Sequence, residues 1–244
     1  MMIRCINYNG KDLGEFGVTV DFSQIFRKPA FEVAKWVIPG KNGDIIRPED
    51  RYSNIELQFD CLIRSNFTEN FTNLVDYLTS FQGNYGRLET TAEPDVYRMA
   101  AFHSVIEPDA GQYLRNGRFT LVFDCQPQRF LKTGENPIVL EDASTARVTN
   151  PTLKPSRPLI RVDYMTGDGT IDINSDSITV EESTGTFWID CDTMHAYKIV
   201  NGAAVSMDDK VSMPDHFVEM TAGKFAYTNL CNNKICTLKS CVKI

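Results

Sequence analysis

The chain has 244 residues, of which 42% are hydrophobic and 23% charged, a balance that excludes a disordered or fibrous protein and predicts two domains, each able to bury a core. Its 25 lysines and arginines against 32 aspartates and glutamates leave a net charge of −7, and no basic run is longer than Arg27-Lys28. This excludes sequence-specific nucleic-acid binding by a basic face. No stretch approaches the roughly 18 apolar residues of a membrane helix, and Met1-Met2-Ile3-Arg4-Cys5 is not a basic region leading into an apolar run. The expectation is a chain made in the cytoplasm without membrane insertion.

In chain order, the first signal is Asn9-Gly10, the first of four Asn-Gly pairs, with Asn42-Gly43, Asn116-Gly117 and Asn201-Gly202. Both residue types tolerate positive φ, so each pair predicts a tight hairpin turn. Around Asn42-Gly43, the flanks Ala34–Ile38 and Ile45-Ile46 are apolar without a clean alternating face. Next, Ile55, Leu57, Phe59, Cys61 and Ile63 alternate with polar residues, a half-buried strand. Phe71, Leu74, Val75, Leu78 and Phe81 then recur at helical spacing, predicting one amphipathic helix over 67–82. Asn66 with Glu69 reads as a capping box at its start, and Gly83 as its stop. Its apolar stripe reads as core packing against a sheet.

After Gly117 a second alternating strand follows, with Phe119, Leu121, Phe123 and Cys125. Prolines 137, 151, 155 and 158 mark a break in pattern, with Ile138-Val139-Leu140 as a candidate strand, and the boundary is placed between domains 1–140 and 141–244. Gly167-Asp168-Gly169 reads as a turn. Short strands are expected at Ile171–Ile173, Ile178–Val180, Phe187–Asp190 and Tyr197–Val200. The whole is a mainly β pattern.

Chemistry is sparse. The three histidines, His103, His195 and His216, lack metal-ligand spacing; His103 reads as packed in a strand and His195 as solvated at a turn. Cys231, Cys236 and Cys241 step by five residues, which places neighbours on opposite faces of a strand and argues against one shared ion. Seven cysteines in all suit reduced core thiols better than a disulfide scaffold. The carboxylates Asp172, Asp176, Glu181, Glu182, Asp190 and Asp192 read as a solvated face. No catalytic residue, no metal site and no cofactor is predicted, and the chain reads as not an enzyme.

Specific residues carry more. Trp36-Val37-Ile38-Pro39-Gly40-Lys41-Asn42-Gly43-Asp44-Ile45, followed by Tyr52-Ser53-Asn54-Ile55-Glu56-Leu57, resembles the N-terminal signature of siphophage distal tail proteins. Arg118–Phe130, with its Cys125-Gln126-Pro127 turn, then Asn150-Pro151-Thr152, Arg157–Val162, Gly167-Asp168-Gly169, Trp188-Ile189-Asp190 and Pro214–Gly223 continue the resemblance across about the whole chain. The C-terminus departs from it, ending Ser240-Cys241-Val242-Lys243-Ile244 where many relatives close on Pro-Arg-Trp.

This resemblance implies a mainly β fold: an N-terminal ring-forming β domain with one helix, and a C-terminal galectin-like β-sandwich. It implies a virion structural protein at the tail tip, the baseplate hub of a long non-contractile-tailed phage or prophage. A hexameric ring would join the tail tube protein to the tail-associated tip protein and to host adsorption through a receptor-binding protein or a host saccharide. The hairpin tip Gly40, Lys41, Asn42 and Gly43 is the expected subunit-interface element. The alternative is a carbohydrate-binding module in which Trp188, Tyr197, Tyr164 and Tyr227 stack on sugar rings.

Overall fold

A computed structural model describes residues 5–110, 115–136, 138–140, 145–152, 154–221, 223–229 and 235–240. The chain divides into two compact units, Met1–Arg129 and Phe130–Ile244. Both are mainly β, and the described residues contain one α-helix.

The N-terminal unit holds strands β1 (Ile6–Tyr8), β2 (Lys11–Asp12), β3 (Val18–Asp21), β4 (Phe31–Trp36), β5 (Ile45–Tyr52), β6 (Ile55–Ile63), β7 (Gly86–Thr90), β8 (Glu93–Ala101), β9 (Asp109–Ala110) and β10 (Gly117–Cys125), with α1 (Phe67–Thr79) after β6. The main sheet runs β2-β1-β7-β8-β10-β6-β3, antiparallel throughout, with β9 alongside β10. In β6 and β10 every second side chain is buried, as the alternation predicts: Leu57, Phe59, Leu121 and Phe123 are 1% exposed or less. Against this face lies α1, whose Phe67, Leu74 and Leu78 are buried. Tyr77 Oη donates to the Tyr8 carbonyl at 2.7 Å, pinning the helix to β1.

The helix is shorter than its pattern and starts differently. Asn66 takes a left-handed conformation (φ 51°) and makes no side-chain cap. Instead its carbonyl accepts from Asn70 N, while Asn70 Nδ2 donates to the Ser65 carbonyl. Regular helix stops at Thr79, and the chain turns through Gln82 and Gly83, both at positive φ.

Asn9-Gly10 forms the expected two-residue turn, with both residues at positive φ. Asn116-Gly117 does not. Gly117 opens β10 in ordinary strand register opposite Ile63, and a Cβ there would sit 2.4 Å from Phe67 Cε2. The glycine is therefore a packing requirement between strand and helix. Gly117→Ala is expected to lower stability by about 1–3 kcal/mol through overpacking, a loss that Phe67→Leu in the same chain should partly restore in a thermal-unfolding comparison.

In the C-terminal unit, β11 (Phe130–Leu131), β12 (Ile138–Leu140), β13 (Thr145–Asn150), β14 (Pro158–Ile173), β15 (Asp176–Asp190), β16 (His195–Val200), β17 (Ala203–Ser206), β18 (Val211–Ser212), β19 (Gly223–Asn229) and β20 (Ile235–Ser240) follow in order. The sheet runs β12-β20-β14-β15-β16-β17; β13 joins through β19, and β18 pairs with β15. The short runs expected at 171–173, 178–180 and 187–190 are parts of two long strands, β14 and β15. Register shifts at Val162/Met165 and Gly167/Gly169 interrupt their alternation. Gly167-Asp168-Gly169 is thus a bulge within β14 rather than a turn, with Asp168 Oδ1 accepting from Glu182 N at 2.8 Å. The β14–β15 turn falls at Asn174, φ 57°. Asn201-Gly202 closes β16–β17 as expected. Ile160, Ile171, Ile178, Phe187 and Ile189 form the core of this unit. Asn150, of the Asn-Pro-Thr step, is buried and fully bonded: Nδ2 donates to the Lys154 and Met220 carbonyls, and Oδ1 accepts from Thr152.

Candidate functional site

The residues 31–52 that flank the expected interface tip form a hairpin of their own. β4 and β5 make a separate two-stranded sheet, joined in register from Trp36↔Ile45 to Val33↔Pro48. Near the base, Asp50 at φ 52° accompanies a register shift before Phe31↔Tyr52. There the rings of Phe31 and Tyr52 meet edge to face at 5.0 Å, Arg51 pairs with Glu32, and Ser53 N donates to the Ala30 carbonyl.

Every residue of β5 is exposed. By the register, one face carries Phe31, Val33, Ile46 and Tyr52, and the other carries Trp36 and Ile45. Trp36 is 47% exposed, Ile46 60% and Val37 76%. A solvated antiparallel ribbon normally shows polar residues to water on at least one face. This arm exposes large apolar side chains on both, among the charged Lys35, Arg47, Glu49 and Arg51, and a two-stranded hairpin is at best marginal in water by itself.

All four expected tip residues, Gly40, Lys41, Asn42 and Gly43, are exposed within the 37–44 connection. The tight turn is not Asn42-Gly43. Ile38-Pro39-Gly40-Lys41 forms a type II turn, with Pro39 leading, Gly40 at φ 81° and Lys41 N donating to the Ile38 carbonyl at 3.1 Å. Gly43, at φ 84°, bends the return path. The sequence marks the tip and the flanks 34–38 and 45–46; it does not mark Phe31 and Val33, which share a face with Tyr52 only through the register of β4 with β5.

The groups considered for chemistry fall elsewhere. Cys61, Cys125 and Cys191 are buried free thiols, each pushed up to about 12 chiefly by burial. Cys231 and Cys241 lie outside the described residues, as does the side chain of Cys236. Among the described residues no cluster of three or more His, Cys, Asp or Glu is placed to hold a metal. His103 is exposed rather than packed, because β8 ends at Ala101 and the chain leaves the sheet before it. The carboxylates of the C-terminal unit serve turns and ion pairs: Asp190 Oδ1 accepts from Asp192 N, Asp192 pairs with Arg157, and Asp176 with His216.

Trp188 is half-buried, stacked on Tyr197 at 5.8 Å and 9°, with Arg161 5.7 Å from its ring. The register places Arg161 and Tyr197 on the strands either side of Trp188, so the indole is flanked on both sides. The side chains of Tyr164 and Tyr227 lie outside the described residues.

Beside this ladder, Asp208 ties the two ends of the β16–β17 hairpin, accepting from Ala196 N at 2.6 Å and Ser206 Oγ at 3.0 Å and meeting His195 Nδ1 at 2.9 Å. The Ala196 N–H foremost, then His195 and Ser206, hold its carboxyl below the ordinary value. Its contribution to stability is therefore present above the ordinary carboxylate value and lost as pH falls through the lowered folded one. Asp208→Ala is expected to cost about 1 kcal/mol near neutral pH, with the difference from the parent chain vanishing in acid, as followed by circular dichroism in denaturant.

The assembled architecture matches solved phage structures along its length. The Dit protein of phage SPP1, described as a paradigm of the hub adsorption apparatus in phages infecting Gram-positive bacteria, superposes with a TM-score of 0.71 at 15% identity, covering 100% of both chains. The chain carries the distal tail hub fold. Chains of the phage p2 baseplate in its activated conformation superpose at 0.59 with strontium and 0.58 with calcium, at 10% and 11% identity, each covering 97% of this chain and 98% of the other. No family model matches the sequence, and no curated protein does. The hub fold thus persists here at identities where sequence comparison is silent, and the mainly β architecture expected from the sequence is the one observed.

Proposed function

We propose that this chain is the distal tail, or baseplate hub, protein of a long non-contractile-tailed phage or prophage. It forms a hexameric ring at the tail tip that joins the tail tube protein to the tail-associated tip protein. The N-terminal unit builds the ring, and the C-terminal unit, read as a galectin-like sandwich, faces the receptor-binding components. The chain works as a structural connector without catalysis or cofactor.

The observation that carries this reading is the likeness to the SPP1 hub over 100% of both chains. The arm supports it independently. A hairpin that pairs outside the main sheet and exposes large apolar side chains calls for a partner, and a head-to-tail contact repeated around an axis closes a ring. The hairpin tip Gly40–Gly43 is the element assigned to that subunit contact.

The saccharide-binding alternative is not favoured by the flanked indole of Trp188. Negative-stain images of the purified chain should show rings with a central opening; solid or irregular particles would oppose the hub reading, and deletion of Asn42 and Gly43 that left the rings intact would remove the tip from the interface.

A further inference from the structure

We propose that Asn42 is a self-modification site, at which the chain converts its own side-chain amide into a carboxylate. The reaction needs the backbone nitrogen of the next residue to reach the Asn side chain, and a following glycine leaves that approach unhindered. All four Asn-Gly pairs offer the sequence, but the structure restrains three of them. Asn9 sits at φ 49° in a two-residue turn, its Oδ1 accepts from Arg87 N at 2.8 Å, and its own N donates to the Arg87 carbonyl at 2.8 Å. Gly117, after Asn116, is buried and paired with both Ile63 and Ala110. Asn201 is held at φ 52° between the paired residues Val200 and Ala203. Asn42 and Gly43 carry none of these restraints. Both are exposed and lie beyond the last pair of the hairpin, Trp36↔Ile45. Among the described residues neither the Asn42 side chain nor the Gly43 N–H has a hydrogen-bond partner. A Cβ placed on Gly43 would meet nothing within 4 Å, so no neighbour obstructs ring closure.

Water is the only co-reactant. Gly43 N gives up its proton and attacks Asn42 Cγ; the new C–N bond closes a cyclic imide as the Cγ–Nδ2 bond breaks, and Nδ2 takes up a proton and leaves as ammonia. Water then opens the imide. Attack at Cγ gives aspartate, whereas attack at the main-chain carbonyl gives isoaspartate, which routes the backbone through Cβ and Cγ. Either product adds a negative charge close to Asp44. The site itself rests on the geometry of the single chain, and its consequence rests on the hub reading. There the tip is the subunit contact, so a seated tip is shielded from water, and a tip modified beforehand carries an extra charge into the contact at a desolvation cost. The modification then marks chains that have stood unassembled.

Peptide mass spectrometry of the purified full chain tests this, after incubation at a dilution where light scattering gives a single-chain mass. The mass shift of amide to acid should appear first in the peptide holding Asn42, and faster as pH rises, because the Gly43 proton must leave. Breaking even one of the hydrogen bonds that restrain the other pairs should slow them by about tenfold. Asn42→Gln should remove the fast shift and leave the slow ones. Equal rates at all four pairs, or a faster shift at Asn9, Asn116 or Asn201, overturn the site. The same incubation at a concentration where rings form separates the site from the hub reading. Suppression of the Asn42 shift there is what the tip contact predicts; an unchanged rate removes the tip from the contact and leaves the modification site standing.

Discussion

On the proposed hub function, Trp36→Asp with Ile46→Asp is expected to convert the proposed ring to monomers without lowering the unfolding temperature of either unit. The two residues lie on opposite faces of the arm, and neither belongs to a buried core. Burying two such side chains at an interface is worth about 1.5–3 kcal/mol each, and replacing them with carboxylates adds the cost of desolvating charge. A loss of about 3–6 kcal/mol is a factor of roughly 10² to 10⁴ in the dissociation constant, enough to dissolve a ring at micromolar concentration. The fold should not register the change, because the arm pairs only with itself among the described strands. Light scattering and circular dichroism together check this: a smaller particle with an unchanged melting curve is the expected result. Intact rings would show that the apolar arm is not the contact.

Glu93→Ala should have the opposite profile, damaging the fold itself. Arg98 is 6% exposed and borders a small crevice with Ile25, Leu57 and Leu88, and burial lowers its pKa from the ordinary arginine value. Glu93 is what makes that position tolerable: its Oε2 lies 3.9 Å from Arg98 Nη2, and its Oε1 accepts from Arg129 Nη1. Removing the carboxylate leaves a buried guanidinium uncompensated, a loss of about 3–5 kcal/mol. Replacing Glu93 and Arg98 together by apolar residues should cost far less than Glu93→Ala, since no stranded charge remains. Hydrogen exchange at the β6 and β10 amides measures the effect within the N-terminal unit. Equal losses in the single and double variants would show that packing, and not charge, is what Glu93 supplies.

The parts of the fold that sequence reading reached are those governed by local rules. The strict alternation of Ile55–Ile63 and Phe119–Cys125, the stripe through Leu74 and Leu78, and the two-residue turns at Asn9-Gly10 and Asn201-Gly202 depend on neighbours a few residues away. Where distant contacts decide, the local signal misleads. Gly117 exists for Phe67, fifty positions earlier in the chain, and so it mimics a turn glycine. Bulges near Val162 and Gly167 break the alternation of β14, so two long strands read as several short ones. The Asn66 cap fails because the chain leaves β6 through a left-handed residue, a geometry the Asn-x-x-Glu spacing does not encode.

The candidate site divides the same way. The tip and part of the arm were legible because Pro39-Gly40 and Asn42-Gly43 sit between apolar runs that alternate poorly. The Glu93–Arg98–Arg129 cluster was not, since Arg129 joins it from 36 residues further along the chain.

Light scattering of the purified chain under reducing conditions, with the free thiols unable to cross-link, tests the central claim most directly. The hub reading predicts a particle of about six chains whose mass holds on dilution until the ring dissociates; a monomer whose mass does not change with concentration would contradict it.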